Sequence, residues 1–347
     1  MARAFATSPR SSEIPAPLAE NLLQGIFCFE LRIASMPLPL FSRLRRRWLA
    51  FLVMSAMVVG LPVGCAVLQH KERELVFRIE PGTANWFSGL PSGVQEFDLK
   101  PKSFKAGENI HGWWWPAERK NAPTILYLHG VRWNLTGQLF RIQQLRALGY
   151  SVLAIDYRGF GKSHGDLPSE ASVYEDARIA WERLKVLQPD PALRLIYGHS
   201  LGGAVAVDLA AQLGQEAAKH GAAQVRGLII ESTFTSLGDV ATAMANTSLP
   251  VRWLLSQKFD SIDKIGEINM PLLVVHGSAD RYVPPRFSEQ LFNAAREPKR
   301  LLLVPGATHN NSMSLAGKNY GQALNALMKS PPSPVAGNAL ASPAKAG

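Results

Sequence analysis

The residues best suited to chemistry are residues 198–202, with the sequence GHSLG, which match the pattern G-x-S-x-G. The apolar run at residues 193–197 predicts a buried strand before them, and the pattern of residues 204–213 predicts a helix after them. A serine at a tight, glycine-flanked turn between a strand and a helix is a nucleophile elbow. We therefore predict that Ser200 is an exposed and activated nucleophile. The alternative is a glycine-rich turn whose serine has no chemical role.

A serine hydroxyl needs a general base at neutral pH, and we expect one of the eight histidines to supply it. His309 directly follows the last predicted strand, at the carboxyl edge of the sheet, and is the best candidate. His199 is adjacent to Ser200, but the turn should direct its side chain away from the hydroxyl. His129 and His276 end predicted strands and are each followed by glycine, so we expect them to brace loops through hydrogen bonds.

The base in turn needs a carboxylate to orient it. Asp280 lies just past another predicted strand, in the segment HGSAD, and that strand ends at the same edge of the sheet as the strand before His309. Glu231 ends the preceding strand and is the second candidate for the acid. We expect Asp280 to be the acid.

Predicted strands and helices alternate through most of the chain, which requires a mostly parallel sheet with right-handed crossovers and helices on both faces. The strands are predicted at residues 94–99, 110–115, 124–128, 151–155, 193–197, 227–230, 271–275 and 300–304. The first two should form an antiparallel hairpin. Helices are predicted at residues 135–148, 172–187, 204–213 and 284–296, and from about residue 310 onward. Residues 233–268 are too long for a turn and predict a small helical cap over Ser200.

Six segments, taken together and in order, resemble the α/β-hydrolase-fold serine hydrolases and are similar to the Bem46-like and serine aminopeptidase S33-like groups. They are LHG (128–130), DYRGFGKS (156–163), GHSLGG (198–203), ESTFTS (231–236), HGSAD (276–280) and GATH (306–309). The resemblance extends from about residue 94 to residue 328. It implies hydrolysis of an ester, thioester or amide through an acyl-enzyme, without a metal or cofactor. The chain order Ser200, Asp280, His309 is also that of this fold.

The loop after the first of these segments departs from the family pattern, which often has small polar residues there. Here Val131-Arg132-Trp133 follows, which places bulk near the expected oxyanion hole. The donors needed are backbone N–H groups, so we expect Val131 and Leu201 to supply them. The predicted substrate-pocket residues are Arg132, Trp133, Phe234 and Trp253.

The net charge of +10 does not indicate a nucleic-acid partner, because part of it lies outside the main domain. Residues 1–47 contain seven arginines against three glutamates, and no stripe of Lys or Arg with interleaved aromatics follows. Both cysteines, Cys28 and Cys65, precede residue 94. The main domain can therefore form no disulfide and no cysteine-rich metal site.

The amino-terminal region predicts an export signal or a membrane anchor. A basic cluster at residues 43–47 precedes the uncharged residues 48–68, which are long enough to span a bilayer. Three alternatives remain open: an uncleaved anchor, a lipoprotein signal with a lipidated Cys65, and a cleaved secretory signal. We expect the protein to be membrane-anchored, with its catalytic domain outside the cytoplasm. We also expect translation to start at Met36, because residues 1–35 would bury a signal that works at a terminus.

The predicted organisation is an extension at residues 1–47, the signal or anchor at 48–68, a linker at 69–93, the hydrolase domain at 94–330 and a disordered tail at 331–347. We predict a serine hydrolase that cleaves an ester or thioester of a small or lipophilic acyl compound. Apolar side chains in the predicted cap favour such a substrate. The alternatives are an S33-like peptidase or amidase, and a catalytically silent scaffold that binds a partner.

Overall fold

The computed structural model describes residues 38–221, 223–245 and 251–331. The chain divides into two compact units, Met1–Val67 and Leu68–Gly347, and all of the described strands belong to the second. The expectations for Met36 and for Cys28 fall outside the described residues, as does the tail from residue 332.

The second unit is built on one sheet. Its strands are β1 Gln95–Leu99, β2 Ile110–Trp115, β3 Thr124–Leu128, β4 Ser151–Ile155, β5 Arg194–His199, β6 Gly227–Glu231, β7 Leu272–Gly277 and β8 Lys299–Val304. They are ordered β1-β2-β4-β3-β5-β6-β7-β8. β2 pairs antiparallel with both β1 and β4, whereas all pairings from β4 to β8 are parallel. The predicted mostly parallel sheet and its amino-terminal hairpin are confirmed.

Helices cover both faces of this sheet. The described helices are α1 Leu38–Phe77, α2 Leu135–Ala147, α3 Glu170–Leu187, α4 Leu201–His220, α5 Leu237–Ala245, α6 Ser261–Ile265, α7 Arg286–Ala294, α8 Ser312–Ala316 and α9 Lys318–Lys329. Successive residues of β3 point to opposite faces, as a strand requires. Leu126 joins the core under α3 and α4, whereas Ile125 and Tyr127 join the core under α2 and α9. The fold is that of an α/β hydrolase.

Local sequence explains where these elements begin. The central strands are apolar on both sides because helices cover both faces, and all residues of β3, β4 and β6 are buried. α3 begins at a capping box in which Ser169 and Ser172 exchange side-chain-to-backbone hydrogen bonds. α2 begins after Asn134, whose side chain accepts a hydrogen bond from the N–H of Thr136.

The predicted cap contains α5, a short 3₁₀ turn at Val251–Trp253 and α6. Gly238 of α5 lies directly against Arg252, because a Cβ added at the glycine would approach the arginine Cβ to 2.8 Å. The 3₁₀ turn therefore packs closely on α5.

The segment predicted as a linker, residues 69–93, instead packs on the hydrolase domain. It begins inside α1, where the Glu72 carboxylate accepts hydrogen bonds from the N–H groups of Ser256 and Gln257, each at 2.8 Å. Phe77 ends α1 fully buried, with its ring centroid 6.4 Å from that of Phe160. These partners lie far along the chain, so no local pattern reveals them.

The anchor or signal predicted at residues 48–68 falls within α1. Among the residues described, there is no helix that combines the length and the apolar character needed to cross a bilayer. Cys65 is exposed and its thiol is free.

Replacing Phe77 by alanine should test whether residues 69–93 belong to the folded domain. We expect Phe77→Ala to lower the free energy of unfolding in urea by about 3 kcal/mol, because the substitution removes a buried aromatic ring from a packed core. Leu75→Ala, at a site 70% exposed on the same helix, is the matched control and should change it by less than about 0.5 kcal/mol. Equal and small effects of both changes would show that the segment is a free linker.

Candidate active site

Ser200 occupies the turn between β5 and α4 with φ 55° and ψ −123°, a conformation that a non-glycine residue adopts only under strain. The turn is tight because glycines let the backbones touch. A Cβ at Gly198 would lie 2.2 Å from the carbonyl oxygen of Gly202, and one at Gly202 would lie 2.1 Å from that of Leu128. The predicted strand, turn and helix are present, and the turn has the geometry of a nucleophile elbow.

Asp280 is a buried carboxylate surrounded by hydrogen-bond donors. Its Oδ1 accepts hydrogen bonds from the N–H groups of Tyr282 and Val283, at 2.9 and 3.0 Å. Its Oδ2 lies 2.7 Å from Nδ1 of His309 and 3.2 Å from Nε2 of His276. Burial alone would raise the pKa of this carboxyl, but the hydrogen bonds from His276 and His309 hold the pKa well below its usual range. Asp280 is therefore ionised at neutral pH.

His309 lies in the loop after β8, and its partner Asp280 lies in the loop after β7. The two loops are joined by a hydrogen bond from the N–H of Ala279 to the carbonyl of Ala307, at 2.8 Å. Because the Nδ1–H of His309 donates a hydrogen bond to the ionised carboxylate of Asp280, Nε2 is the ring nitrogen left to accept a proton. No hydrogen bond joins that ring to Ser200 Oγ here; such bonds are often long or misaligned until substrate binds.

The expected oxyanion donors flank the serine. Gly130, two residues after β3, is so close that an added Cβ would lie 2.9 Å from the Cβ of Ser200. Val131 follows it directly, which places this backbone beside the serine. Leu201 is the first residue of α4, so its N–H has no acceptor within the helix. This N–H lies at the amino-terminal end of the helix, which is the positive end of the helix dipole.

Arg132 and Trp133, predicted to shape the pocket, both pack on aromatic rings. The guanidinium of Arg132 is 5.9 Å from the centre of the Tyr282 ring, and that ring is 5.7 Å from the His309 ring. Trp133 has φ 62° and packs edge-to-face on Trp86, with centroids 5.2 Å apart. Trp86 belongs to the segment before β1, so a part of the chain predicted as linker packs against the loop that follows β3.

The two pocket residues predicted in the cap occupy opposite environments. Phe234 follows β6 and is buried in the core next to α4. Trp253 is 84% exposed, so it lies on the outer surface of the cap and not in a pocket as predicted. The reason is that Arg252 takes the position against α5, which turns the next side chain outward.

Glu231, the second candidate for the acid, is fully buried but does not contact His309. Its carboxylate binds the hydroxyls of Tyr197 and Tyr320 and lies 3.4 Å from Nη2 of Arg141. No local sequence pattern identifies this cluster, because its members come from four different elements.

The other strand-end histidines brace loops, as expected. His276 Nδ1 accepts a hydrogen bond from the hydroxyl of Ser288 at 2.6 Å, and its Nε2–H donates to the carbonyl of Val283 at 2.9 Å. His129 Nδ1 donates to the carbonyl of Gly130 at 2.6 Å. Burial lowers the pKa of His129 to about 4, so this ring is neutral at neutral pH.

A separate open cleft of about 890 Å³ lies at the opposite edge of the sheet, where Arg146, Tyr150 and Leu193 are among its lining residues. It contains none of Ser200, Asp280 and His309. Among residues 38–221, 223–245 and 251–331, no three His, Cys, Asp or Glu side chains are grouped as metal ligands would be.

The arrangement around Ser200 is therefore a set of groups that can perform nucleophilic acyl transfer. It combines a hydroxyl on a strained turn, an imidazole with a free Nε2, an ionised carboxylate that orients the imidazole, and backbone N–H groups beside the hydroxyl.

Comparison with known proteins identifies related sequences. Residues 119–264, which include Ser200, match the family described as serine aminopeptidase, S33. The uncharacterized protein Rv2307c of Mycobacterium tuberculosis is 38% identical over 214 residues, which cover 61% of this chain and 72% of that protein. The lysophosphatidylserine lipase ABHD12 of Danio rerio is 32% identical over 206 residues, which cover 54% of this chain and 51% of that protein.

Solved structures show the same fold. An α/β hydrolase from Vibrio vulnificus superposes with a TM-score of 0.58 at 21% sequence identity, covering 75% of this chain and 93% of that chain. Together with the sequence matches, these findings show that the protein is a hydrolase of the α/β type. The chain belongs to the α/β hydrolases, and within it residues 119–264 match the serine aminopeptidase S33 family.

Proposed function

We propose that the protein is a serine hydrolase that cleaves an ester of a lipophilic acyl compound through an acyl-enzyme. The observation that carries the proposal is the 2.7 Å hydrogen bond between His309 Nδ1 and the buried, ionised Asp280, at the edge of the sheet where the strained turn presents Ser200. A scaffold without catalytic activity would not need a buried carboxylate that orients an imidazole.

The proposed reaction has two halves. In the first, His309 Nε2 takes the proton of Ser200 as Oγ attacks the acyl carbon, and Asp280 stabilises the imidazolium that forms. The tetrahedral intermediate then breaks its bond to the leaving alcohol, which receives the proton from His309. In the second half, a water molecule loses a proton to His309 and attacks the acyl carbon of the acyl-enzyme. The bond from that carbon to Ser200 Oγ then breaks, Oγ takes the proton back from His309, and the acid is released.

The developing oxyanion would be stabilised by the N–H groups of Leu201 and Val131. Neither is a side-chain donor, so the bulky side chains that follow Gly130 do not prevent this role. Removing one donor of this kind typically raises the barrier by about 3 kcal/mol. The positive end of the α4 dipole adds to the stabilisation.

The outer surface of the cap, which lies outside the pocket, supports a substrate with an acyl chain long enough to extend onto it. Met244, Trp253 and Leu254 are 67%, 84% and 80% exposed. Large apolar side chains exposed on the cap favour contact with an apolar partner or substrate. The relative ABHD12 is described as a lysophosphatidylserine lipase, which agrees with an ester substrate that carries an acyl chain.

A peptidase is the second candidate, because the matched family is described as a serine aminopeptidase. Hydrolysis of aminoacyl p-nitroanilides in preference to acyl p-nitrophenyl esters would favour it over the proposed esterase.

A fluorophosphonate probe should label the wild-type chain and not Ser200→Ala, because only an activated serine hydroxyl attacks the phosphorus atom. The measurement is in-gel fluorescence of the full chain. Ser314→Ala is the matched control. Ser314 is exposed on α8, so this variant should be labelled at the wild-type rate. Absence of labelling in folded wild-type protein would favour the scaffold alternative.

Asp280→Asn should lower kcat by about ten-thousand-fold, because the amide stabilises the wrong tautomer of His309 and cannot balance an imidazolium. The fold-loss in kcat caused by Glu231→Gln should be at least a hundred times smaller. Steady-state hydrolysis of a p-nitrophenyl ester measures both. If the two losses were reversed in size, Glu231 would be the orienting acid.

Trp253 and Leu254 lie outside the pocket, where only a long acyl chain could reach them, so replacing both by serine should lower kcat/KM for a long-chain ester more than for a short-chain ester. The expected difference is about tenfold, which corresponds to about 50 Å² of apolar surface that the long chain alone would no longer bury. The matched control is Leu148→Ser, at an exposed leucine beside the cleft at the opposite edge. Equal losses for both esters would remove the cap from the proposed acyl-binding surface.

A further inference from the structure

A buried polar cluster lies behind the proposed site, on the face of the sheet covered by α2 and α9. Glu231 is fully buried, and its Oε2 accepts hydrogen bonds from the hydroxyls of Tyr197 at 2.5 Å and Tyr320 at 2.7 Å. Arg141 of α2 is 1% exposed and places Nη2 3.4 Å from Oε1 of Glu231. None of these side chains takes part in the proposed reaction.

Stability alone does not account for the ion pair. Removing both charges from water costs about as much as their attraction returns, and apolar residues of the same volume are often as stable or more so. The guanidinium is nevertheless fixed in place: Nη1 of Arg141 donates to Oε1 of Gln138 at 3.2 Å, and that oxygen also accepts from the hydroxyl of Tyr127. These bonds give the guanidinium a fixed orientation in the interior.

In this orientation Nη2 of Arg141 faces the loop after β8. Nη2 of Arg141 also donates to the backbone carbonyl of Asn310, at 3.2 Å. Asn310 is the residue after the proposed base His309, and it lies 169 positions from Arg141 in the sequence. The bond therefore fastens the loop that carries the base to a helix packed on the sheet.

His199 holds the same loop from the strand that ends at the proposed nucleophile. Its Nε2 lies 2.9 Å from the carbonyl oxygen of His309. Burial, and next to it the charge of Arg141, hold the pKa of His199 well below its usual range, so the ring is neutral and has one proton. A carbonyl can only accept, so that proton is on Nε2. Nδ1 is buried without a hydrogen-bond partner.

The consecutive carbonyls of His309 and Asn310 thus accept hydrogen bonds from His199 of β5 and Arg141 of α2, respectively. The imidazole of His309 is bound by Asp280. We propose that Arg141 and His199 are positioning residues, which hold the backbone of His309 so that its Nε2 faces Ser200 Oγ. The proposal rests on the proposed function, in which His309 is the base. Glu231 then has the role of balancing the charge of Arg141 and not that of an orienting acid.

The effect should be on the rate of the chemical step. A reacting group displaced by about 1 Å can cost about a hundredfold in rate, even when the residue removed does not touch the substrate. Substrate binding does not involve either side chain, so KM should change little.

The test uses the full chain and four variants. Arg141→Met combined with Glu231→Gln removes both buried charges together, so that neither is left unbalanced. His199→Leu removes the donor to the His309 carbonyl, and His199→Gln restores a donor at a similar distance. Arg146→Met is the matched control, since this arginine lies on the same helix but stacks on Trp115 at the opposite edge.

We measure kcat and KM for a p-nitrophenyl ester, the rate of fluorophosphonate labelling, and unfolding in urea. The double variant and His199→Leu should remain folded at the assay temperature, lose about 10- to 100-fold in kcat and in labelling rate, and keep KM within about twofold. His199→Gln should recover most of the lost rate. Arg146→Met should match the wild type.

Wild-type kcat in both the double variant and His199→Leu would overturn the proposal. A loss of activity that equals the fraction of unfolded protein, or that His199→Gln does not recover, would also overturn it by showing a purely structural role. Failure of the wild-type chain itself to label would instead contradict the proposed function, so the two failures are distinguishable.

Discussion

A carboxylate that stays ionised inside a protein needs hydrogen-bond donors on all sides, and this requirement organises the region around Ser200. Asp280 satisfies it with two backbone N–H groups of its own loop and with the rings of His276 and His309. These donors come from the end of β7, the loop that follows it and the loop after β8. The carboxylate of Asp280 therefore binds three segments at once, and its hydrogen bond to Nδ1 fixes the orientation of the His309 ring.

The strained backbone of Ser200 is a second constraint, which costs about 1–3 kcal/mol and must be maintained by the surroundings. The N–H of Ser200 donates to the carbonyl of Glu231, and its own carbonyl accepts from the hydroxyl of Thr233. Because β5 lies between β3 and β6 in the parallel ladder, the turn cannot relax without breaking bonds on both sides. The side chain of Glu231 anchors the polar cluster, and its backbone holds the serine turn, so one residue connects the two.

The end of α1 shows the limits of local interpretation. A charged stretch followed by proline and glycine has the composition of a linker, and composition alone predicts one. Glu72 nevertheless binds Ser256, 184 positions away, and Phe77 enters the core beside Phe160. The part of the chain that precedes the sheet is thereby fastened to the segment that follows the 3₁₀ turn of the cap.

The sequence by itself determined the strands of the sheet and the helices that alternate with them, the glycine-flanked turn at Ser200 and the order of Ser200, Asp280 and His309. Periodicity, glycine spacing and strand ends are properties of neighbouring residues. Only the tertiary structure decided that Glu231 binds Tyr197 and Tyr320 in place of a histidine, and that Trp253 faces solvent. It also decided that Arg141 and His199 reach the loop of His309. The physical reason is that these contacts join residues 34 to 169 positions apart, so they depend on how elements pack across the sheet and not on any local window.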